Sequence, residues 1–335
     1  MDSDSVYIPI SDRKRHPTLW FDDGNIILAA TFSLFRVHRG LLSMNSPVFA
    51  DMFSMPHPDA DSIENGFEGL PVVEITDTDV DFTHLLSFFY DHRYYQGGTM
   101  TTFEKISGLL RTSTKYQMDN LRNEVISHLA LAYPSTFEGY LKAVDPNAAV
   151  PLFPPFLGQH FAVVALARET GASVLLPAAL WRSMCMTSQE ILDGVVDSNG
   201  TRYMLSPADV RRCILKKSQV YKRLVRMENM FAAKLKPQGC VRQNLRGGKA
   251  ISPCMEIAVF EVIIHFSNAA EETRDDHDMF QMGAFGAWRP LLCDGCRNGA
   301  DTLLAGWRTD WWSSLPNAFE LPEWGRLTDD SNVSV

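Results

Sequence analysis

The residues whose types and spacing suggest chemistry are cysteines near the C-terminus. Cys293 and Cys296 form a CxxC pair, a spacing that allows two thiolates to bind one Zn²⁺. A tetrahedral zinc site needs two further ligands, and Cys240 and Cys254 precede the pair in the chain. Those two are separated by 13 residues, so the sequence has no second closely spaced pair.

Three interpretations of these cysteines stay open. They are free thiols without a function, a structural zinc site completed by Cys240 and Cys254 or by His265 or His277, or a redox pair. The redox interpretation lacks the strand-to-helix setting that lowers a thiol pKa. A zinc ion here would staple this region, since nothing indicates an open catalytic position. We predict no other cofactor.

Catalytic sequence patterns are missing elsewhere. The chain has no G-x-S-x-G, H-E-x-x-H or G-x-G-x-x-G segment, the patterns of hydrolases, zinc proteases and dinucleotide-binding enzymes. Gly247-Gly248-Lys249 resembles the end of a phosphate-binding loop, but Ala250 stands where Ser or Thr is required. The carboxylates at 271–276 lie in a charged run that is typical of a solvated loop. We therefore predict a protein that is not an enzyme.

Composition and length limit the class of protein. The chain has 335 residues, of which 45% are hydrophobic and only six are cysteine, which predicts about two globular domains and no disulfide scaffold. Met1–Ile10 lacks the pattern of a secretory leader, and the apolar run 257–266 is too short to cross a membrane. We expect an intracellular protein, cytoplasmic and/or nuclear, with no membrane contact.

The net charge of −9 is distributed unevenly along the chain. Residues 1–201 carry 24 acidic and 13 basic side chains, residues 202–249 carry 2 and 13, and residues 250–335 carry 14 and 5. A basic block of net charge +11 thus lies between two acidic blocks. The acidic total makes nucleic acid an unlikely general partner.

The N-terminal third predicts a strand pair followed by helices. The apolar run 26–30 and the residues Phe32, Leu34 and Val37 predict a hairpin, and 72–75 predicts a third strand. Ser46 and Pro47 indicate a helix start. Apolar spacing predicts helices at 79–90 and 103–113, and a further helix that begins at Asp119 as its cap.

This order of elements, with these residues, resembles the BTB/POZ domain over about residues 18–130. The motifs that carry the resemblance are Asp23 to Leu28, Phe35 to Leu42, Ser46 to Phe53, Val73 to Tyr90 and Leu110 to Leu129. The whole chain also resembles the large fungal, basidiomycete-type group of BTB proteins through Trp20 to Gly24 and Trp312 to Pro322.

The resemblance implies structural roles for ten motif residues and a protein-binding role for the domain. The structural residues are Asp23, Gly24, Phe35, His38, Leu42, Ser46, Phe49, Met52, Phe53 and Tyr90. Family members form homodimers or bind cullin-type ubiquitin-ligase scaffolds or co-repressors. Two departures bear on this: Asn25 stands where dimeric members carry an Asp that pairs with the equivalent of Arg39, and the hydrophobic-x-Glu motif of cullin adaptors is replaced by Ser54 to Asp59.

The middle of the chain predicts helices, of which the clearest is basic. Apolar runs at 161–167, 175–181 and 191–196 predict short helices after a proline-rich break at 151–155.

Ser206 and Pro207 begin a helix that Pro237 and Gly239 end. We predict that its buried face is formed by Val210, Ile214, Tyr221, Leu224, Phe231 and Leu235. The interaction candidates on its other faces, together with Arg39 of the BTB domain, are Arg211, Arg212, Lys216, Lys217, Lys222 and Arg223. Three uses of the basic face stay open: pairing with the chain's own acidic segments, docking an acidic protein, or contact with nucleic acid or membrane.

The predicted fold class is therefore α+β, with an N-terminal BTB/POZ fold of a small mixed sheet flanked by helices and a mainly helical region after it. The predicted domains are 1–130, a helical region 131–236 and a Cys/Trp-containing region 237–335, in which five tryptophans indicate a small core or a docked tail. The predicted function is a non-catalytic protein-interaction module, with a cullin-type adaptor as one form. The alternative is a nuclear, transcription-related regulator or a self-associating scaffold that uses the basic helix.

Overall fold

The computed structural model describes residues 8–55, 66–145, 147, 152–234, 240–242, 244–246, 249–254, 256–257, 278, 280 and 289–329. The chain divides into two compact units. Unit 1 consists of Met1–Leu129 with Val150–Pro154, and unit 2 consists of Ala130–Ala149 with Pro155–Val335. Among the described helices, none has both the length and the apolar character that a membrane crossing requires.

A five-stranded mixed sheet lies in unit 1. Its strands are β1 (Lys14–Trp20), β2 (Ile26–Ala29), β3 (Ser33–Val37), β4 (Gly66–Phe67) and β5 (Leu70–Glu74). The spatial order is β1-β3-β2-β5-β4. Strand β3 pairs antiparallel with β2 and parallel with β1, and β2 pairs parallel with β5. All four residues of the central strand β2 are buried, as its uninterrupted apolar sequence predicts.

The predicted hairpin of β2 and β3 is confirmed, and two details differ from expectation. Phe32 belongs to the turn and is 58% exposed, because β3 begins only at Ser33. The sequence pattern does not predict strand β1, because its residues are mostly polar and exposed. It lies at the edge of the sheet, where one-sided burial leaves little apolar pattern.

Five helices complete unit 1. They are α1 (Arg39–Asn45), α2 (Pro47–Ser54), α3 (Asp79–Tyr90), α4 (Phe103–Lys115) and α5 (Asp119–Ala130). The side chains of Ser46, Thr78 and Thr102 each accept a hydrogen bond from a first-turn amide of α2, α3 and α4, which is why these helices begin where they do. Asp119 is the first helical residue rather than the cap. The predicted α+β fold, a small mixed sheet flanked by helices, is confirmed.

A short segment from later in the chain returns to unit 1. Thr101 donates its backbone N–H to the carbonyl oxygen of Leu152 at 2.9 Å. The ring of Phe153 packs edge-on against that of Phe103, with centroids 5.3 Å apart. Both Leu152 and Phe153 are buried, so this strap covers the start of α4.

Unit 2 is mainly helical. Its helices are α6 (Phe137–Val144), α7 (Gln159–Thr170), α8 (Leu176–Met184), α9 (Ser188–Asp193), α10 (Pro207–Lys234), α11 (Asp294–Ser313), α12 (Leu315–Ala318) and α13 (Trp324–Asp329). Two small hairpins accompany them, β6 (Val195–Val196) with β7 (Arg202–Tyr203) and β8 (Asn244–Arg246) with β9 (Lys249–Ile251). The expected helix at 191–196 is therefore wrong at its end, because Gly194 stops α9 and Val195 and Val196 pair as a strand.

The basic helix α10 begins as predicted, but its buried face differs. Ser206 accepts the N–H of Asp209 at 3.2 Å and so caps the helix. Asp209, Cys213 and Val220 are buried, whereas Val210 and Ile214 are half-buried. The observed face lies one residue earlier, which rotates the helix by about 100° from the predicted orientation. The carboxylate of Asp209 lies on this buried face, where it pairs with Arg168 and Arg212. The side chains of Tyr221, Leu224, Phe231 and Leu235 lie outside the described residues.

Candidate interaction surface and candidate metal centre

His38, at the junction of β3 and α1, is held by contacts within unit 1. Its backbone N–H donates to the Tyr90 hydroxyl at 2.9 Å, and its Nδ1 lies 3.0 Å from the same oxygen. Its Nε2 lies 3.2 Å from a carboxylate oxygen of Asp23. Gly24 is required beside this pair, because an added Cβ would lie 2.9 Å from Cγ of Arg36. These contacts fix the strand-to-helix corner.

Most of the other motif residues lie in the core of unit 1, where Phe49, Phe53 and Tyr116 form an aromatic stack. The ring of Phe49 lies 4.1 Å from that of Tyr116 and 5.7 Å from that of Phe53. Burial raises the pKa of Tyr116 well above its ordinary value, so its hydroxyl stays protonated. Phe35 and Leu42 are fully buried and Met52 is half-buried. This part of the unit is a core and not a binding cleft.

Arg39, an interaction candidate, is engaged within its own unit. Its backbone N–H donates to Oδ1 of Asn25 at 2.8 Å, so the side chain of Asn25 occupies the N-terminus of α1. Its guanidinium donates to the carbonyl of Phe53 and lies over the Phe53 ring at 5.7 Å. Asn25 and Arg39 are therefore neighbours, and the backbone amide of Arg39 joins them.

Unit 1 presents several large apolar side chains to solvent. Phe32 is 58% exposed and Val80 is 49% exposed. They lie near each other, because the Asp79 carboxylate accepts the backbone N–H of Phe32 at 3.2 Å. Met44, Met55 and Met100 are also exposed. Single exposed apolar side chains are ordinary, whereas neighbouring ones such as Phe32 and Val80 are candidates for contact with a partner.

The basic residues in the first half of α10 divide between internal contacts and solvent. Arg212 bonds both the buried Asp209 and Glu320, each at 3.1 Å. Lys217 donates to the Met186 carbonyl at 2.6 Å. Lys216 bonds Gln219 at 3.1 Å, and Arg211 is exposed. Lys222 and Arg223, the remaining candidates, have side chains outside the described residues.

Arg168 completes the environment of Asp209. It binds the carboxylate through two N–H groups at 2.7 and 3.2 Å. Burial alone would raise the pKa of Asp209, but the bonds from Arg168, Ser206 and Arg212 hold that pKa below its usual range. The charged carboxylate therefore joins α7 to the start of α10.

The four cysteines named as metal ligands meet in unit 2. Ligand atoms of Cys240, Cys254, Cys293 and Cys296 all lie within 4.8 Å of one another, and all four residues are buried. Backbone N–H groups, first that of Cys296, lower the pKa of the Cys293 thiol to about 6. Burial raises the pKa of the Cys296 thiol to about 12. His265 and His277, the alternative ligands, lie outside the described residues.

Asp278, a charged residue for which the sequence gives no prediction, lies in the buried core of unit 2. Asp278 is buried, and its carboxylate accepts from the Tyr140 hydroxyl at 2.6 Å and from the Trp181 indole N–H at 3.0 Å. The rings of Phe280 and Trp312 pack around this pair. Trp311 and Trp312 are buried, and the ring of Trp312 packs against that of Tyr140. The only sequence signal for Asp278 is its place at the end of an acidic run, which gave no reason to expect burial.

Unit 2 also contains a cavity of about 220 Å³ beside α8, α10 and α12. Trp181, Val220, Trp311 and Phe319 line its apolar part and Lys216 its polar part. Ligand pockets for drug-sized molecules begin near about 300 Å³. The cavity is smaller than that, so its volume does not indicate a ligand.

Comparison with known proteins identifies unit 1. The family model of the BTB/POZ domain matches residues 23–131, which span β2 to the end of α5. No curated protein matches the chain. BTB/POZ domains are generally non-catalytic and mediate protein–protein interactions, including dimerisation. The sheet order, the buried motif residues and this match together show that residues 23–131 form a BTB/POZ domain, a protein-interaction module, within a longer chain.

Proposed function

We propose that this chain is a non-catalytic adaptor whose BTB/POZ domain binds one partner protein and whose unit 2 binds another. The observation that carries the proposal is the contrast within unit 1. Its conspicuous polar group, His38 with Asp23 and Tyr90, is engaged in the strand-to-helix corner. Phe32 and Val80, two apolar side chains that lie near each other at its surface, are solvent-exposed.

A cullin-type ubiquitin-ligase scaffold is the first partner to test. The relevant surface begins in α2, which ends at Ser54, and continues through Met55. The replacement of the hydrophobic-x-Glu motif by proline-containing sequence weighs against a family-typical contact, and residues 56–65 lie outside the described part of the chain. Binding is therefore expected to depend on Met55 rather than on a glutamate.

The experiment measures binding of the purified full chain to the N-terminal half of a cullin by biolayer interferometry. Met55→Glu should weaken binding at least about tenfold, which corresponds to about 1.4 kcal/mol. Met100→Glu is the matched control, because Met100 is equally exposed, at 64% against 65%, and lies outside α2. Absence of binding by the unaltered protein would reject the cullin partner, and equal losses in both variants would reject the proposed surface.

The alternative is a nuclear regulator or self-associating scaffold that uses the basic helix 207–236. The contacts of Arg212 and Lys217 within unit 2 reduce the free basic surface in its described half, whereas the exposed Arg211 favours some outward role. Arg211→Ala with Lys216→Ala should weaken capture of acidic partners or self-association if this alternative holds. We also propose that the chain belongs to the fungal BTB group, which the segments Trp20 to Gly24 and Trp312 to Pro322 support. We further propose a cytoplasmic and/or nuclear location.

A further inference from the structure

Four cysteines from three separate segments of the chain meet in one buried place in unit 2. Cys240 follows α10, and Cys254 follows the hairpin of β8 and β9. Cys293 is the N-cap residue of α11, and Cys296 lies in its first turn. The backbone N–H of Cys293 donates to the sulfur of Cys254, 39 positions away, at 3.4 Å. Three separate chain segments therefore converge on the same small volume.

The spacing of the sulfurs fits a shared ion better than a disulfide. The sulfurs of Cys293 and Cys240 lie 3.9 Å apart. A tetrahedral zinc with bonds of about 2.3 Å places its sulfur ligands about 3.8 Å from one another. A disulfide requires about 2.05 Å, and all six cysteines of the chain are free. All four sulfurs lie within 4.8 Å of one another, so a small contraction is enough to reach the zinc spacing.

Donors surround the sulfurs in the way that metal-bound thiolates require. Cys254 accepts the amide of Cys293, and the Ser252 hydroxyl lies 3.8 Å from the sulfur of Cys296. Such outer contacts orient ligands and stabilise negative sulfur. The segment that follows the hairpin and the start of α11 thus each supply a ligand and contact a ligand of the other.

Two arginines tie together the backbone segments that carry the cysteines. The Arg242 guanidinium donates to the carbonyl of Leu291 at 3.0 Å, and that of Arg297 donates to the carbonyl of Leu292 at 3.1 Å. Arg242 thus ties the Cys240 loop to the segment that enters α11.

We infer that Cys240, Cys254, Cys293 and Cys296 bind one structural zinc ion that joins the segment around Cys240, the segment that follows the hairpin of β8 and β9, and the start of α11. Four thiolates close the coordination sphere, so the site has no position for a substrate. The ion fixes the N-terminal end of α11, while Trp311 and Trp312 fix its C-terminal end in the aromatic core. The inference is independent of the adaptor proposal.

The first experiment measures metal in the full chain purified under reducing conditions without added metal or chelator. Inductively coupled plasma mass spectrometry should find about one zinc per chain. Replacement of zinc by Co²⁺ should give the intense visible absorption of a tetrahedral tetrathiolate. Iron in place of zinc, or protein that binds neither zinc nor Co²⁺, would overturn the inference, as would a disulfide among these four cysteines detected by mass spectrometry of unreduced protein.

Single substitutions locate the site. Cys240→Ser and Cys293→Ser should weaken zinc retention against a chelator at least about tenfold. Cys213→Ser is the control, because Cys213 is a buried cysteine of the same unit whose sulfur contacts the Leu180 carbonyl instead, and it should keep the ion. If the ligand variants fail to fold, release of zinc from the unaltered protein by a mercurial thiol reagent replaces them. Four thiols titrated per zinc released would support the site, and release with fewer would contradict it.

Discussion

Ser46 shows how one side chain can join two parts of the BTB/POZ domain. Its hydroxyl oxygen accepts the N–H of Phe49 at 3.1 Å and its hydroxyl hydrogen is donated to the Tyr116 carbonyl at 2.7 Å. The first bond caps α2 and the second fixes the end of α4 against it. Because Ser46 is 1% exposed, water cannot replace either bond.

Ser46→Ala should therefore lower the free energy of unfolding by about 1–3 kcal/mol, since it leaves a buried amide and a buried carbonyl without partners. Ser54→Ala in the same helix is the control, because the Ser54 hydroxyl is exposed and bonds only the Asp51 carbonyl. Urea denaturation followed by circular dichroism measures both variants. Equal stability of the two would show that the Ser46 bonds are not needed.

His160 gives unit 2 a dependence on pH. Burial, and then the charge of Arg182, lower the pKa of His160 well below its ordinary 6.5, and its Nδ1 lies 2.8 Å from the Tyr133 hydroxyl. Below pH 6.5 the unfolded chain takes up a proton that folded His160 does not. Stability should thus be complete above pH 6.5 and fall as the pH drops, by up to about 1.4 kcal/mol per pH unit.

The test compares urea unfolding of the full chain at pH 7.5 and about pH 5.5. His160→Asn should reduce the pH-dependent loss, whereas His92→Asn should leave it unchanged, because His92 is exposed. An unaltered slope in His160→Asn would assign the effect to other groups.

At the scale of elements, helix α10 is placed by charge as much as by apolar contact. Its first turn carries the buried Asp209, which Arg168 of α7 and its own Arg212 bind. A buried carboxylate needs such partners to remain ionised. The helix is therefore oriented by an ion-pair network that an apolar repeat does not reveal.

Asp209→Asn should destabilise the protein by about 2–4 kcal/mol, because it removes the charge that two arginines share. The value is at the lower end of buried pairs, since the side chains of Arg168 and Arg212 are 36% and 26% exposed. Arg211→Ala, on the exposed face, should change stability by less than about 0.5 kcal/mol. Thermal unfolding of both variants distinguishes this network from a general effect of charge on the helix.

Comparison of these elements with the sequence shows what local patterns can predict. Helices α2, α3 and α10 begin as expected because Ser, Thr, Pro and apolar spacing act within a few residues. The four cysteine ligands were named by type, but no local pattern could show that segments 39 positions apart would meet. Burial of Asp278 depends on Tyr140 and Trp181, which lie 138 and 97 positions away. Non-local contacts of this kind are invisible to periodicity.

At the scale of the whole molecule, the two units are not consecutive pieces of chain. The strap at 150–154 belongs to unit 1, although 130–149 belong to unit 2. The family match ends at residue 131, so it omits the strap. A fragment cut at the end of the match lacks contacts that this domain makes in the full chain.

A fragment of residues 1–155 should be more stable than one of residues 1–132 by about 1–3 kcal/mol, because burial of Leu152 and Phe153 removes apolar surface from water. Phe153→Ala in the longer fragment should remove most of the difference. Urea unfolding of the three proteins measures it. Identical midpoints for all three would show that the strap adds nothing to the domain.

The long-range contacts of unit 2 also determine when its core can form during synthesis. A ribosome adds about 5–20 residues per second, and the Tyr140 hydroxyl must wait for Asp278, 138 positions later, which is about 7–28 seconds. During that interval the BTB/POZ domain can complete its core while Phe137 and Tyr140 of α6 have no partners. The aromatic core of unit 2 can therefore close only after the segments that carry Asp278 and Trp312 have been made.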